Sequence, residues 1–172
     1  MLYLLDANTL IDAKRDYYPI ARVPEFWDWL VFQGLSGNIK IPIEMYEEFS
    51  DTRDKIGQMD ELASWAEAKD VKDALLLGEE AEQDLVARIT YGGYVANPTD
   101  DELIKMGRDP FLLSYALRDL TNRCVVTTES SKPSRQGANR HVPDVCATFG
   151  IRCINSFRMI RELDFSTGWN GP

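Results

Sequence analysis

The chain has 172 residues, 44% hydrophobic and 27% charged, a balance that fits one globular domain and excludes long disorder, collagen-like repeats and a disulfide scaffold. Its net charge of −9 opposes nucleic acid and membrane surfaces at long range, and no window approaches the roughly 18 apolar residues of a spanning helix, so a cytoplasmic, membrane-free protein is expected. Cys124, Cys146 and Cys153 lack CxxC spacing and His141 is the sole histidine, which leaves neither a zinc site nor a histidine-based triad to assemble.

Leu2-Tyr3-Leu4-Leu5 is a continuous apolar run, the pattern of a strand covered on both faces, and it ends at Asp6. Thr9-Leu10-Ile11 begins a helix, and residues 24–32 form another with Phe26, Trp27 and Leu30 near one face. The second strand reads from Ile39 to Ile43, and Met45 to Phe49 starts a third helix. Further helices are expected over 59–69 and 79–89. Thr99-Asp100-Asp101-Glu102 has capping-box form, and Gly107 stops the helix it opens. Asp109 reads as an N-cap followed by proline at the first helical position. Cys124 to Thr127 and Ile151 to Ile154 supply two more strands, with a flexible loop over 130–140 between them. Strands separated by helices imply parallel pairing and a three-layer α/β sandwich.

Ligands of an open parallel sheet bind beyond the carboxyl ends of its strands, where this sequence repeatedly supplies acids. Asp6 follows the first strand, Glu44 and Glu48 follow the second, Asp109 precedes the third and Glu129 follows it. Singly, each has a bland reading as a turn former, a cap or solvated surface; the recurrence is what those readings leave unexplained. Two unit charges about 4 Å apart repel by roughly 4 kcal/mol at an effective dielectric near 20, so converging carboxylates need protons or a cation. Oxygen ligands without histidine or cysteine favour magnesium or manganese, and such an ion suits phosphodiester hydrolysis.

Four segments resemble the motifs of the PIN domain family: Leu4 to Ile11, Ile41 to Phe49, Arg108 to Leu117, and Val125 to Glu129. The resemblance runs from Leu2 to about Leu163, and treats 1–172 as a single PIN-like domain with a mostly helical insertion at about 51–107. Many members are VapC-type toxins, metal-dependent ribonucleases held inactive by a cognate antitoxin. The resemblance therefore implies an Mg²⁺- or Mn²⁺-dependent endoribonuclease with one or two ions, a probable antitoxin partner and a homodimer. It assigns metal binding to Asp6, Glu48 and Asp109, with Asn8 or Thr9 as the polar position after the first acid.

Met45 and Phe49 define an inward face; at 100° per residue Glu48 lies about 60° from Met45, which prefers Glu48 and leaves Glu44 as the alternate. The fourth motif departs from the family pattern: Thr127-Thr128-Glu129 runs into Ser130, so Glu129 assists, with Asp144 as another source of the missing acid. Residues 44–109 carry a net charge of −11, whereas 118–161 carry +5. Lys132, Arg135 and Arg140 are placed for RNA phosphates. Tyr91-Gly92-Gly93-Tyr94 offers a stacking surface, against the more ordinary reading of its aromatics as core. Two other classes stand beside the ribonuclease: a non-catalytic PIN-fold binding module, and an aspartate-nucleophile phosphatase. The second is disfavoured because Asn8 occupies the place of its second aspartate.

Overall fold

The computed structural model describes residues 1–53 and 56–169. Among them a four-stranded parallel sheet runs in the order β2-β1-β3-β4, with β1 Leu2–Leu5, β2 Ile39–Lys40, β3 Arg123–Val126 and β4 Arg152–Ile154. Helices flank it in a three-layer α/β sandwich. Leu4, Leu5, Val125 and Val126 are fully buried, which accounts for continuous rather than alternating apolar runs. Leu5 lies opposite Val126, and Val126 opposite Ile154, so β1, β3 and β4 end side by side.

The first helix, α1 (Ala7–Asp12), continues as a π turn over Ala13–Tyr17. After it come α2 (Pro24–Leu35), α3 (Ile43–Tyr46), α4 (Glu61–Ala66), α5 (Lys69–Leu75) and α6 (Gln83–Ile89), the last extended by a π turn over Thr90–Tyr94. Next are α7 (Asp100–Met106), α8 (Asp109–Leu117), α9 (Val142–Phe149) and α10 (Ser156–Glu162). The Thr99–Glu102 capping box forms as expected, and Gly107 ends α7 with a positive φ of 56° that an L side chain adopts only under strain.

Several boundaries differ from the sequence reading for identifiable reasons. The second strand is cut short because Pro42 has no N–H and α3 starts at Ile43; Ile41 instead bridges to Leu76. α3 ends at Tyr46, and tight turns carry the chain on, with Glu48 N–H donating to Met45 O at 3.3 Å. The expected helix over 59–69 is shortened to α4, and a separate helix, α5, begins at Lys69. α6 starts only at Gln83, and ahead of it Glu79 pairs with Arg118 and Arg123.

Leu62, Val71, Leu75, Ile89 and Met106, all between 51 and 107, belong to the same buried cluster as the strands. Gly93 is there for closeness: a Cβ on it would lie 2.7 Å from Val145 Cγ1 and 2.9 Å from Phe149 Cε2.

Candidate active site

The junction between β1 and β3 builds the floor. Asp6 N–H donates to Val126 O at 2.9 Å, and the buried Thr9 hydroxyl donates to the same carbonyl at 3.1 Å, which fastens the start of α1 to the end of β3. The Asp6 carboxylate, on a residue only 4% exposed, caps α1 by accepting from Asn8 N–H at 3.4 Å. Its other oxygen accepts from the Thr127 hydroxyl at 2.6 Å, and that hydroxyl accepts from Glu129 N–H at 3.1 Å. Thr127 thus ties the first acid to the fourth.

Asp109 is the first residue of α8 and makes no side-chain capping bond, contrary to the capping role read from the sequence. Its carboxyl is thereby left to the site, where Tyr94 donates a hydroxyl to it at 3.4 Å. Burial pushes Asp109 up to about 8, the charges of Asp6, Glu129 and Glu48 push the same way, and Tyr94 opposes them. Asp6 is likewise raised, chiefly by burial and then by Glu129, against the bonds from Thr127 and Asn8. Glu48 belongs to an exposed rim residue, yet desolvation of its carboxyl and the charge of Asp6 raise it, while Arg108 pulls it down. Mutual influence of this kind requires proximity. Asp6, Glu48, Asp109 and Glu129, dispersed over more than a hundred residues, thus lie within electrostatic reach of a common centre, Asp109, on which the other three act.

The alternates point elsewhere. Glu44 accepts from the Tyr115 hydroxyl at 3.3 Å, and its other oxygen is buried with no hydrogen-bond partner among the described residues. Asp144 neither caps α9 nor shares the electrostatics of the four acids: it accepts from the Ser131 hydroxyl and, at 2.8 Å, from Lys132 N–H, and these bonds hold it below the usual carboxylate range.

A family model described as a domain of unknown function, DUF4411, matches residues 3–167. The chain belongs to that family. Searches of curated proteins and of solved structures return no match. The matched span of this DUF4411 domain includes all four acids.

The basic loop after β3 is less uniform than its composition suggests. Lys132 and Arg135 are exposed and have no ion-pair partner among the described residues. Arg140 is committed to the fold: it donates to Gly93 O, to Asp144 O at 2.8 Å and to Thr148 Oγ1 at 2.8 Å, strapping the π turn at 90–94 to α9. Tyr94 is buried against Asp109, so of the Tyr91–Tyr94 pair only Tyr91 offers an exposed ring. Trp65 packs edge-on to Trp27 with ring centroids 4.7 Å apart.

The sequence reading missed His141, set aside for want of a second histidine. Its Nδ1 is buried, lacks a hydrogen-bond partner among the described residues and lies 3.9 Å from Glu129 Oε2, which accepts from Val142 N–H at 2.8 Å. Arg108 was also missed; it donates to Glu44 O and Glu47 Oε2, each at 2.7 Å, next to Asp109.

Among the described residues no group of three or more His, Cys, Asp or Glu side chains is arranged to hold a metal ion as it stands. The donor chemistry nonetheless fits one: the acids are oxygen ligands, three of them are raised by burial and by other acids, and among the described residues Arg108 is the one cation named among the leading influences on those three, acting on Glu48.

Proposed function

We propose that this DUF4411 protein is a metal-dependent endoribonuclease of PIN type, hydrolysing RNA phosphodiester bonds as the toxin of a toxin–antitoxin pair. The observation that supports the reading is the electrostatic coupling of Asp6, Glu48 and Glu129 to the buried Asp109, with Arg108 the leading opposing cation among the described residues. Asp6, Glu48 and Asp109 would hold Mg²⁺ or Mn²⁺. Such an ion supplies Lewis acidity to a phosphoryl oxygen and lowers the pKa of its bound water.

The chain's own groups do the rest. Thr127 and the Asn8 N–H fix the Asp6 carboxylate, limiting what must be reorganised when charge develops. Glu129 spends Oε2 on Val142 N–H, which leaves Oε1 to orient a water and accept its proton. Exposed Lys132 and Arg135 suit the phosphates of a bound strand, countering the repulsion expected from a chain of net charge −9. The same acidity suits a basic antitoxin, and a homodimer is the expected assembly.

Asp6→Asn and Asp109→Asn should each lower metal-stimulated RNA cleavage by about a thousandfold or more, roughly 4 kcal/mol of barrier, without unfolding the protein. Full activity in EDTA, or in either variant, would remove the metal-dependent mechanism.

Glu129 favours a second reading, a PIN-fold module that binds without cutting, because a longer acid with one oxygen already engaged stands where the resembling family has aspartate. Calorimetry showing RNA binding but no Mn²⁺ binding would select it.

A further inference from the structure

Beside the acids lies a cleft of about 310 Å³ between the π turn at the end of α1 and the start of α10. Glu129 lines both the cleft and the acidic site. On one wall Tyr17 and Phe157 form an edge-to-face pair with centroids 4.9 Å apart, and they remain 50% and 42% exposed. Tyr17 is the last residue of the π turn, and such turns recur at functional sites.

We infer that this cleft is a base-binding subsite for one unpaired nucleotide of the RNA strand whose phosphodiester reaches the acids, with the base against Tyr17 and Phe157. The inference rests on the ribonuclease reading and adds which part of the substrate is held, and where.

Three features select that occupant. The volume is at the lower end of the roughly 300 to 1,000 Å³ of small-ligand sites, room for a nucleotide but not for a helix. The charges repel phosphate: Arg15 is neutralised by Asp12 at 2.6 Å and Asp16 at 2.7 Å, so with Glu129 the lining is net acidic. What acidic acceptors do accommodate is a base edge that donates from an exocyclic amine, while the partly uncovered rings give any base a stacking surface. A base paired in a duplex offers no free face, so single-stranded RNA is the form that fits.

The test is a cycle between protein and RNA, read by fluorescence anisotropy with labelled cytidine heptamers in Ca²⁺ to keep binding apart from Mg²⁺-dependent cleavage. Phe157→Ala and Tyr17→Ala should each weaken the single-stranded heptamer about tenfold, while Tyr17→Phe should bind as wild type does. The wild type should lose about as much affinity when one base of the heptamer is removed to leave an abasic sugar. Combining the best abasic position with Phe157→Ala should bring no further loss, because both changes delete the same contact. Unchanged melting temperatures mark the variants as folded, and Phe157→Leu, which keeps the apolar volume, serves should Phe157→Ala fail to fold.

Additive losses, equal weakening of duplex RNA, or no loss in the variants would overturn the subsite while leaving cleavage intact, in which case the ring pair serves a protein partner. If the wild type neither binds nor cleaves RNA, the ribonuclease reading falls and the subsite with it.

Discussion

Glu79 and Glu162 lie among guanidinium groups, whereas Asp6, Glu48 and Glu129 act with like charge on the buried Asp109. Glu79 is bonded by Arg118 and, at 2.7 Å, by Arg123; burial works against its charge, but the two arginines hold it below its ordinary value. Glu162 accepts from the Tyr3 hydroxyl at 2.6 Å, from Arg152 at 2.6 Å and from Arg158 at 2.9 Å, and these bonds bring it down to about 2. At the carboxyl end of the sheet the shifts run the other way, with Asp109 up at about 8. The same residue types are thus internally compensated in two places and left uncompensated in one. Compensation stabilises the fold; its absence stores a demand for positive charge that a proton or a cation from outside can meet.

The contrast can be broken most forcefully with metal. Mn²⁺ at a hundred times its dissociation constant should stabilise the wild type by about 2.7 kcal/mol, or several degrees of Tm in calorimetry at pH 7 to 8. Asp6→Asn and Asp109→Asn should lose most of that gain, whereas Glu162→Gln should keep it. Equal gains in all four proteins would mean that the ion binds elsewhere.

A comparable effect of opposite sign is expected in EDTA. Asp109 is raised in the folded state, so its stabilising contribution is complete below the unfolded value near 3.8 and is lost as pH rises through about 8. At pH 8 without metal, Asp109→Asn should therefore be more stable than wild type, on the order of 2 kcal/mol, with the gap closing towards pH 4. A variant less stable than wild type at pH 8 would show that the carboxyl is compensated after all.

Glu79→Gln should be destabilising by about 1 to 2 kcal/mol in urea unfolding, because two partly buried guanidinium groups lose their shared carboxylate. That places the internally paired acid and the uncompensated one on opposite sides of wild type. The smallest effect concerns Glu162, which is lowered on folding: its contribution is present above the ordinary value near 4.5 and is lost as pH falls through about 2. The Tm difference between wild type and Glu162→Gln should shrink steadily below pH 4.5 and be absent near pH 2. A difference independent of pH would assign the stabilisation to packing instead of charge.

What could be read in advance followed from local chemistry. Apolar runs announced β1 and β3, the capping box announced α7, and the acids after the strands announced which end of the sheet matters. The angular argument preferred Glu48 over Glu44 on helical spacing, but α3 ends two residues before Glu48, and the tight turns that follow leave that residue exposed, with its carboxyl under the charges of Asp6 and Arg108. Asp109 was misread as a cap, since a residue's use of its carboxyl depends on what stands opposite: Tyr94, fifteen residues earlier, approaches it. Arg140 was expected to meet phosphate, and its bonds within the fold went unread because a guanidinium in a loop looks free until the carbonyl of Gly93, forty-seven residues away, is brought to it.

By itself, then, the sequence determined the strands, the sandwich class and the supply of acids, because burial on two faces and helix signals act over a few neighbouring residues. The tertiary structure alone decided which charges are answered within the molecule and which are not. Arg123 reaches Glu79 from forty-four residues away and Thr127 reaches Asp6 from one hundred and twenty-one, and no local pattern records such pairings. Desolvation, the largest influence on Asp6 and Asp109 alike, is likewise set by everything packed around a group.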